Sequence, residues 1–153
     1  MAQEIGLAIG GVRALRALGI EVDDYHFNEG HAVLAALELI EEEKVRGLDF
    51  DDAWRTTRDR VVFTTHTPVV QGNETHELRT LDFMGAFLGL TAKQRASIGG
   101  NPFNMTVAAL RLARRANAVA ELHAETANGM WEHVDGRCEI VPITNCIHTP
   151  TWV

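Results

Sequence analysis

Along the chain, short apolar runs alternate with amphipathic stretches, and each run ends in a polar cluster. From 3 to 18, Ile5, Leu7, Ala8, Val12, Leu15 and Leu18 recur at mostly helical spacing, and Gly19 supplies a stop. Ile20 to Phe27 predicts a strand, followed by the elbow Asn28-Glu29-Gly30-His31 and an apolar helical run from Ala32 to Ile40. The charges that close this run, Glu41 to Lys44, read as a solvated helix end. Asp49 to Arg60 predicts a short helix, capped by Asp49 and carrying Trp54 on its apolar side. Val61, Val62 and Phe63 then suit a strand covered on both faces, which stops at Thr64-Thr65-His66-Thr67 because Pro68 cannot donate in a ladder.

The second half repeats the alternation. Residues 77 to 100 read as helix and loop, with Leu81, Phe83 and Phe87 either in the core or docking a neighbour. Asn104 to Arg115 is an amphipathic helix that Asn104 can cap, 117 to 120 a short buried strand, and a further helix runs through His123, Glu125 and Trp131. Glu139 to Ile143 predicts the last strand, ending in Thr144-Asn145-Cys146. Strands alternating with helices argue for an α/β fold with a mostly parallel sheet, whose strand ends gather along one edge. His66 then stands at the carboxyl end of a central strand, where open α/β sheets place their ligands. The competing reading is that its hydroxyl neighbours only satisfy backbone groups at a turn.

Composition narrows the chemistry. At 153 residues the chain fits one domain or a piece of something larger. A net charge of −7 argues against nucleic acid or an anionic membrane surface as partner, and no stretch reaches the length of a membrane span. Gln3 and Glu4 stand where a secretory signal would want positive charge, so the cytoplasm is the expected location. Cys138 and Cys146 lack CxxC spacing and are expected as free, buried thiols. Gly6, Gly10 and Gly11 do not form GxGxxG after a strand, no HExxH appears and no metal is predicted. Ser97, the single serine, lies outside a GxSxG elbow, and the two lysines, Lys44 and Lys93, sit in no phosphate loop. What remains at the strand ends is a set of amides, hydroxyls, imidazoles and a carboxylate, which matches the paired donors and acceptors of sugar hydroxyls.

Four stretches make this specific: HFNEGHAVLAALELI at 26–40, VFTTHTPVVQGNETH at 62–76, NMTVAALRLARRANAVAELHAETANGMW at 104–131 and ITNCIHTPTW at 143–152. Together, in this order, they resemble the α-glucan (glycogen or maltodextrin) phosphorylase family, in its shorter bacterial and archaeal form. QEIGLAIGGVRALRALGI resembles the helix that precedes the elbow there. The resemblance implies a GT-B architecture of two doubly wound domains, of which residues 1–153 would form one partial domain, the second half of the N-terminal one. It implies reversible phosphorolysis of an α-1,4-glucan or maltooligosaccharide by phosphate, giving glucose 1-phosphate. Pyridoxal phosphate would serve as cofactor, held by a lysine of a C-terminal domain with no counterpart here; the parent is a glycosyltransferase and the isolated chain is expected to be inactive. That missing domain, and a second copy in a homo-oligomer, are the expected protein partners.

By match of motif, His66 corresponds to the family histidine that contacts the sugar 6-hydroxyl and turns its backbone carbonyl to the anomeric carbon. Asn145 corresponds to an asparagine on the same hydroxyl, Val119 to a residue lining the glucose pocket, and Glu29 to an acidic position bordering it. Cys146 stands where the family usually has glycine, which predicts strain if that position needs a positive φ. The other readings are a non-catalytic sugar-binding or interaction module, and a fragment of a nucleotide-sugar glycosyltransferase.

Overall fold

In a computed structural model describing residues 1–152, the helix-and-strand alternation folds as an α/β unit around one parallel sheet. The elements are α1 (Ala2–Ala17), β1 (Tyr25–Asn28), α2 (Ala35–Val45), α3 (Phe50–Arg58), β2 (Val61–Thr65), β3 (Thr75–His76), α4 (Leu78–Phe83), α5 (Ala92–Gly99), β4 (Phe103–Asn104), α6 (Met105–Leu112), β5 (Arg115–Ala118), α7 (Glu121–Met130), β6 (Ile140–Pro142) and α8 (Thr149–Trp152). The sheet order is β1-β2-β5-β6, all parallel, and β3 pairs with β4 in a separate antiparallel ladder. No helix among the described residues is long and apolar enough to cross a membrane.

Local chemistry explains most of the boundaries. Asp49 accepts from the Asp52 amide at 2.9 Å and starts α3, Asn104 accepts from Val107 at 2.9 Å and starts α6, and Thr91 with Gln94 forms a capping box on α5. The strand expected from Ile20 begins only at Tyr25. The preceding residues form the exit from α1, with Gly19 at φ 67° and the Ile20 amide donating back to the Leu15 carbonyl. The elbow first makes a 3₁₀ turn over Gly30–Ala32, so α2 starts later than the apolar run predicts and extends through the acidic residues. Those acids are not a solvated end. Glu43 is buried and bonds Arg46, Lys44 bonds Glu41, and Glu42 binds the Arg16 guanidinium; one turn earlier Glu38 takes the Arg13 fork, so α1 is tied to α2 by two arginines.

In β1, β2 and β5 the side chains alternate in exposure. Tyr25, Phe27, Val61, Phe63, Thr65, Ala116 and Ala118 are buried under helices, whereas His26, Asn28 and Arg115 are exposed and Val62 and Asn117 half-buried. Of the strand expected to be covered on both faces, Val61 and Phe63 are buried and Val62 is half-buried, so one face of β2 is covered less completely than the other. When parallel strands are added in chain order, right-handed crossovers put the connecting helices on the same side. On the open face Thr64 alone is shielded, because its hydroxyl lies in a relay in which His26 Nε2 donates to Thr64 Oγ1 at 2.7 Å and Thr64 Oγ1 donates to Asn117 Oδ1 at 2.6 Å. The apolar patch around α4 also divides: Leu81 and Phe87 are in the core, where Phe87 meets Phe103 edge-on at 5.3 Å, while Phe83 is 92% exposed.

The two outer strands end differently. In β6, Pro142 has no N–H to offer outward, and the outward Ile140 carbonyl accepts from Asn128 Nδ2 at 2.7 Å. The outer edge of β1 has neither device.

Candidate functional site

Because all four strands point the same way, their carboxyl ends form one line. Thr65 pairs with Ala118 and Ala118 with Pro142, so His66 and Val119, each the next residue along, are neighbours on that edge. The loop after β6 turns back onto it: the Ile143 amide donates to the Ala118 carbonyl at 2.9 Å and the Asn145 amide to the Val119 carbonyl at 3.1 Å. Three of the predicted residues, His66, Val119 and Asn145, are thus brought together by sheet register, with His66 and Asn145 exposed and Val119 half-buried.

Glu29 has a different place. Its amide donates to the Thr64 carbonyl at 2.9 Å, continuing the β1–β2 ladder, and its backbone then turns at φ 65°, ψ −176°, a region nearly reserved for glycine. That turn sends the carboxylate across to the next loop. Oε1 accepts from the His66 amide and from the Thr67 hydroxyl at 3.1 Å. Glu29 therefore holds the histidine loop as well as bordering a small cavity, about 100 Å³, lined also by His31, Thr67, Asn73, Glu74 and Thr106.

The His66 ring is held by Asn28 of the elbow. Asn28 Oδ1 accepts from Nε2 at 2.8 Å, so in the neutral ring the proton sits on Nε2 and Nδ1 remains an acceptor. Asn28 lies inside the elbow motif but exposes nothing in sequence that distinguishes a ring-holding amide from a turn residue. His123, which the sequence presents only as a residue of the helix after β5, also reaches the strand-end line. Its Nδ1 accepts from the Val119 amide at 3.4 Å, and its buried Nε2 has no partner among the described residues.

Two expectations about cysteine are resolved separately. Cys138 is buried, and burial pushes its thiol up to about 11, whereas Cys146 is exposed rather than buried. Among the described residues only Glu29 and Leu88 are non-glycine residues at positive φ, so Cys146 sits in ordinary backbone without the predicted strain.

Beside the cavity, Glu4 of α1, His31 and Glu74 approach until their ligand atoms lie within 4.8 Å of one another, a grouping that no spacing in the sequence announces. Glu4 contacts the Met1 ammonium at 2.8 Å and Glu74 contacts His76 at 2.9 Å. Burial and the hydrogen bond to Glu4 raise the Glu74 carboxyl; in Glu4 the raising effect of burial is outweighed by Glu74 and the ammonium, which hold it below the ordinary range.

Comparison with known proteins bears on the origin of this chain. The chain is 43% identical over 152 residues to an uncharacterized protein of Methanocaldococcus jannaschii, 38% identical over 160 residues to the maltodextrin phosphorylase of Thermococcus litoralis, and 38% identical over 175 residues to the glycogen phosphorylase of Mycobacterium tuberculosis. It is homologous to a segment of the α-glucan phosphorylases. The matches take in 98% or 99% of this chain but only 27%, 19% and 20% of those proteins, so the phosphorylase segment spans a minor part of their length. No family model matches it.

Proposed function

We propose that this phosphorylase segment supplies the glucose-holding side of an α-1,4-glucan phosphorylase active site, as the C-terminal half of that enzyme's N-terminal domain. The observation that carries the reading is the strand-end line itself: His66, Val119 and Asn145 side by side, with the His66 loop held at two points by Asn28 and Glu29. Rigid support of this type is what a group positioned at a reacting centre requires. In this reading His66 Nδ1 and the Asn145 amide hold the sugar 6-hydroxyl, Val119 packs on the ring, and the His66 backbone carbonyl faces the anomeric carbon. A carbonyl dipole aimed at positive charge developing there stabilises the transition state more than the bound sugar.

The substrate pair is a maltooligosaccharide and phosphate. Pyridoxal phosphate in the parent enzyme would supply the phosphate group that works beside the substrate phosphate. The residues of this chain do not fit it as a Schiff-base site: Lys44 is paired with Glu41 at 2.7 Å and Lys93 begins α5, and neither belongs to the strand-end line. The cofactor therefore belongs to polypeptide outside this segment, and the chain alone is expected to release no glucose 1-phosphate from maltooligosaccharide and phosphate. In a full-length phosphorylase carrying this segment, His66→Ala should lower kcat while leaving KM for the glucan nearly unchanged. A raised KM at unchanged kcat would refute a role in the transition state.

A further inference from the structure

Three segments far apart in sequence deliver Glu4, His31 and Glu74 to one point. We infer that these side chains bind a single divalent transition-metal ion of the zinc type, which staples together α1, the elbow and the segment entering β3. One imidazole and two carboxylates are a donor set for zinc and its first-row neighbours, whereas calcium and magnesium take oxygen ligands in larger number. The distances fit. A tetrahedral ion with bonds of about 2.1 Å sets its ligand atoms about 3.4 Å apart. Here the three lie within 4.8 Å of one another, and His31 Nδ1 is 3.8 Å from Glu4 Oε1. The remaining contraction falls to His31, whose side chain is 66% exposed and free to turn. The adjoining cavity of about 100 Å³, lined by His31, Glu74 and Thr106, gives a water room to complete the set.

As a set of hydrogen bonds the cluster is incomplete. Glu4 is 8% exposed and meets the Glu74 carboxylate, a contact of like groups that needs a proton or a cation between them. Among the described residues, Glu4 Oε2 and His76 Nε2 are buried and make no hydrogen bond: Met1 N at 2.8 Å and Glu74 Oε1 at 2.9 Å are near but out of line. A carboxylate oxygen buried in this state marks a place for a ligand. The framework around it is fixed. α1 is pinned to α2 through Arg13 and Arg16. Met105, at the start of α6, holds the other two segments: its amide donates to the Glu74 carbonyl at 3.0 Å, and Gly30 lies so close that a Cβ there would meet the Met105 Cβ at 3.0 Å. His76 stands behind Glu74 as the outer partner that ligating carboxylates take. Since the elbow also carries Asn28 and Glu29, an ion at His31 braces the turn that holds His66. Nothing in this site depends on the reaction proposed for the strand ends.

The test uses the 153-residue chain, stripped of metal with EDTA and exchanged into chelator-free buffer near neutral pH. Titration calorimetry with Zn²⁺ should give a single site. Zn²⁺ at about a hundredfold excess over its Kd should raise Tm by about 5–10 °C, whereas Mg²⁺ should not. Glu74→Gln keeps the shape of the side chain and His31→Ala changes an exposed group, so both variants fold, which metal-free melts check. Each should weaken Zn²⁺ binding by about tenfold or more and remove the gain in Tm. Cys146→Ser and His148→Ala, which remove an exposed thiol and imidazole elsewhere, should leave both readings unchanged. Acetylating the Met1 amine removes a charge that competes for Glu4 and should leave binding no weaker. Zn²⁺ binding without a rise in Tm, a site that survives both Glu74→Gln and His31→Ala, a site lost in Cys146→Ser, in His148→Ala or on acetylation, or no binding at millimolar Zn²⁺ would each overturn the inference.

Discussion

Glu29 holds a backbone conformation that costs about 1–3 kcal/mol for a residue with a side chain, and its carboxylate accepts from the His66 amide and the Thr67 hydroxyl. Glu29→Ala keeps the backbone cost and loses both bonds, which at this half-exposed position should destabilise by roughly 2 kcal/mol. Glu29→Gly loses the same bonds but relieves the backbone, less about 0.4–1 kcal/mol for the freedom glycine adds to the unfolded chain. It should therefore be more stable than the alanine variant by about 1–2 kcal/mol and lie near the parent. Urea unfolding followed by tryptophan fluorescence gives the order. In both variants the His66 amide should exchange faster, since the carboxylate that held it is gone. If Ala and Gly prove equally stable, the conformation at Glu29 is not strained and the turn is held by something other than its side chain.

Three further outcomes follow from single features. An alkylating reagent at neutral pH should modify Cys146 in the folded chain and spare Cys138, whose thiol burial raises to about 11, until denaturant is added; mass spectrometry after proteolysis reads the sites. Phe103→Ala should cost about 3–5 kcal/mol because the ring is fully buried against Phe87, and Gly99→Ala should also destabilise, since a Cβ there would lie 2.4 Å from that ring; thermal melts test both. For the carboxyl pair, the raised Glu74 contributes stability at low pH that is lost as pH rises through its folded value, and the lowered Glu4 contributes stability at higher pH that is lost as pH falls through its own. The pair is best satisfied with Glu74 protonated and Glu4 ionised, so Glu74→Gln should raise Tm by about 2 °C above pH 7 and give no gain in mildly acid solution.

The strand and helix sequence was legible because period, caps and breakers agreed. Asp49 and Asn104 cap as read, and Pro68 follows β2 closely. The line of strand ends was legible too, since a parallel sheet places His66 and Val119 together whatever the detail of the loops. Coverage of the sheet was not. Val61-Val62-Phe63 reads the same whether Val62 faces a helix or, as here, an open face, because the covering element need not lie in the same stretch of chain. Leu81, Phe83 and Phe87 were inseparable by composition, yet in α4 helix phase buries Leu81 and exposes Phe83, and the turn that follows brings Phe87 back into the core. The meeting of Glu4 with Glu74, and of Asn28 with His66, depends on loop paths that no local pattern encodes.

The strand order has a consequence for how the chain folds. Since β1, β2, β5 and β6 are adjacent in the order they are synthesised, each pairing closes a single excursion, and those excursions are unequal. The one from Thr65 to Arg115 is the longest, encloses α4, α5, α6 and the β3–β4 ladder, and carries the largest loop-closure entropy. Two local units, β1 through β2 and β5 through β6, can each form early. Their union along β2 and β5 is then the slow step, and it is the step at which Val119 first comes alongside His66.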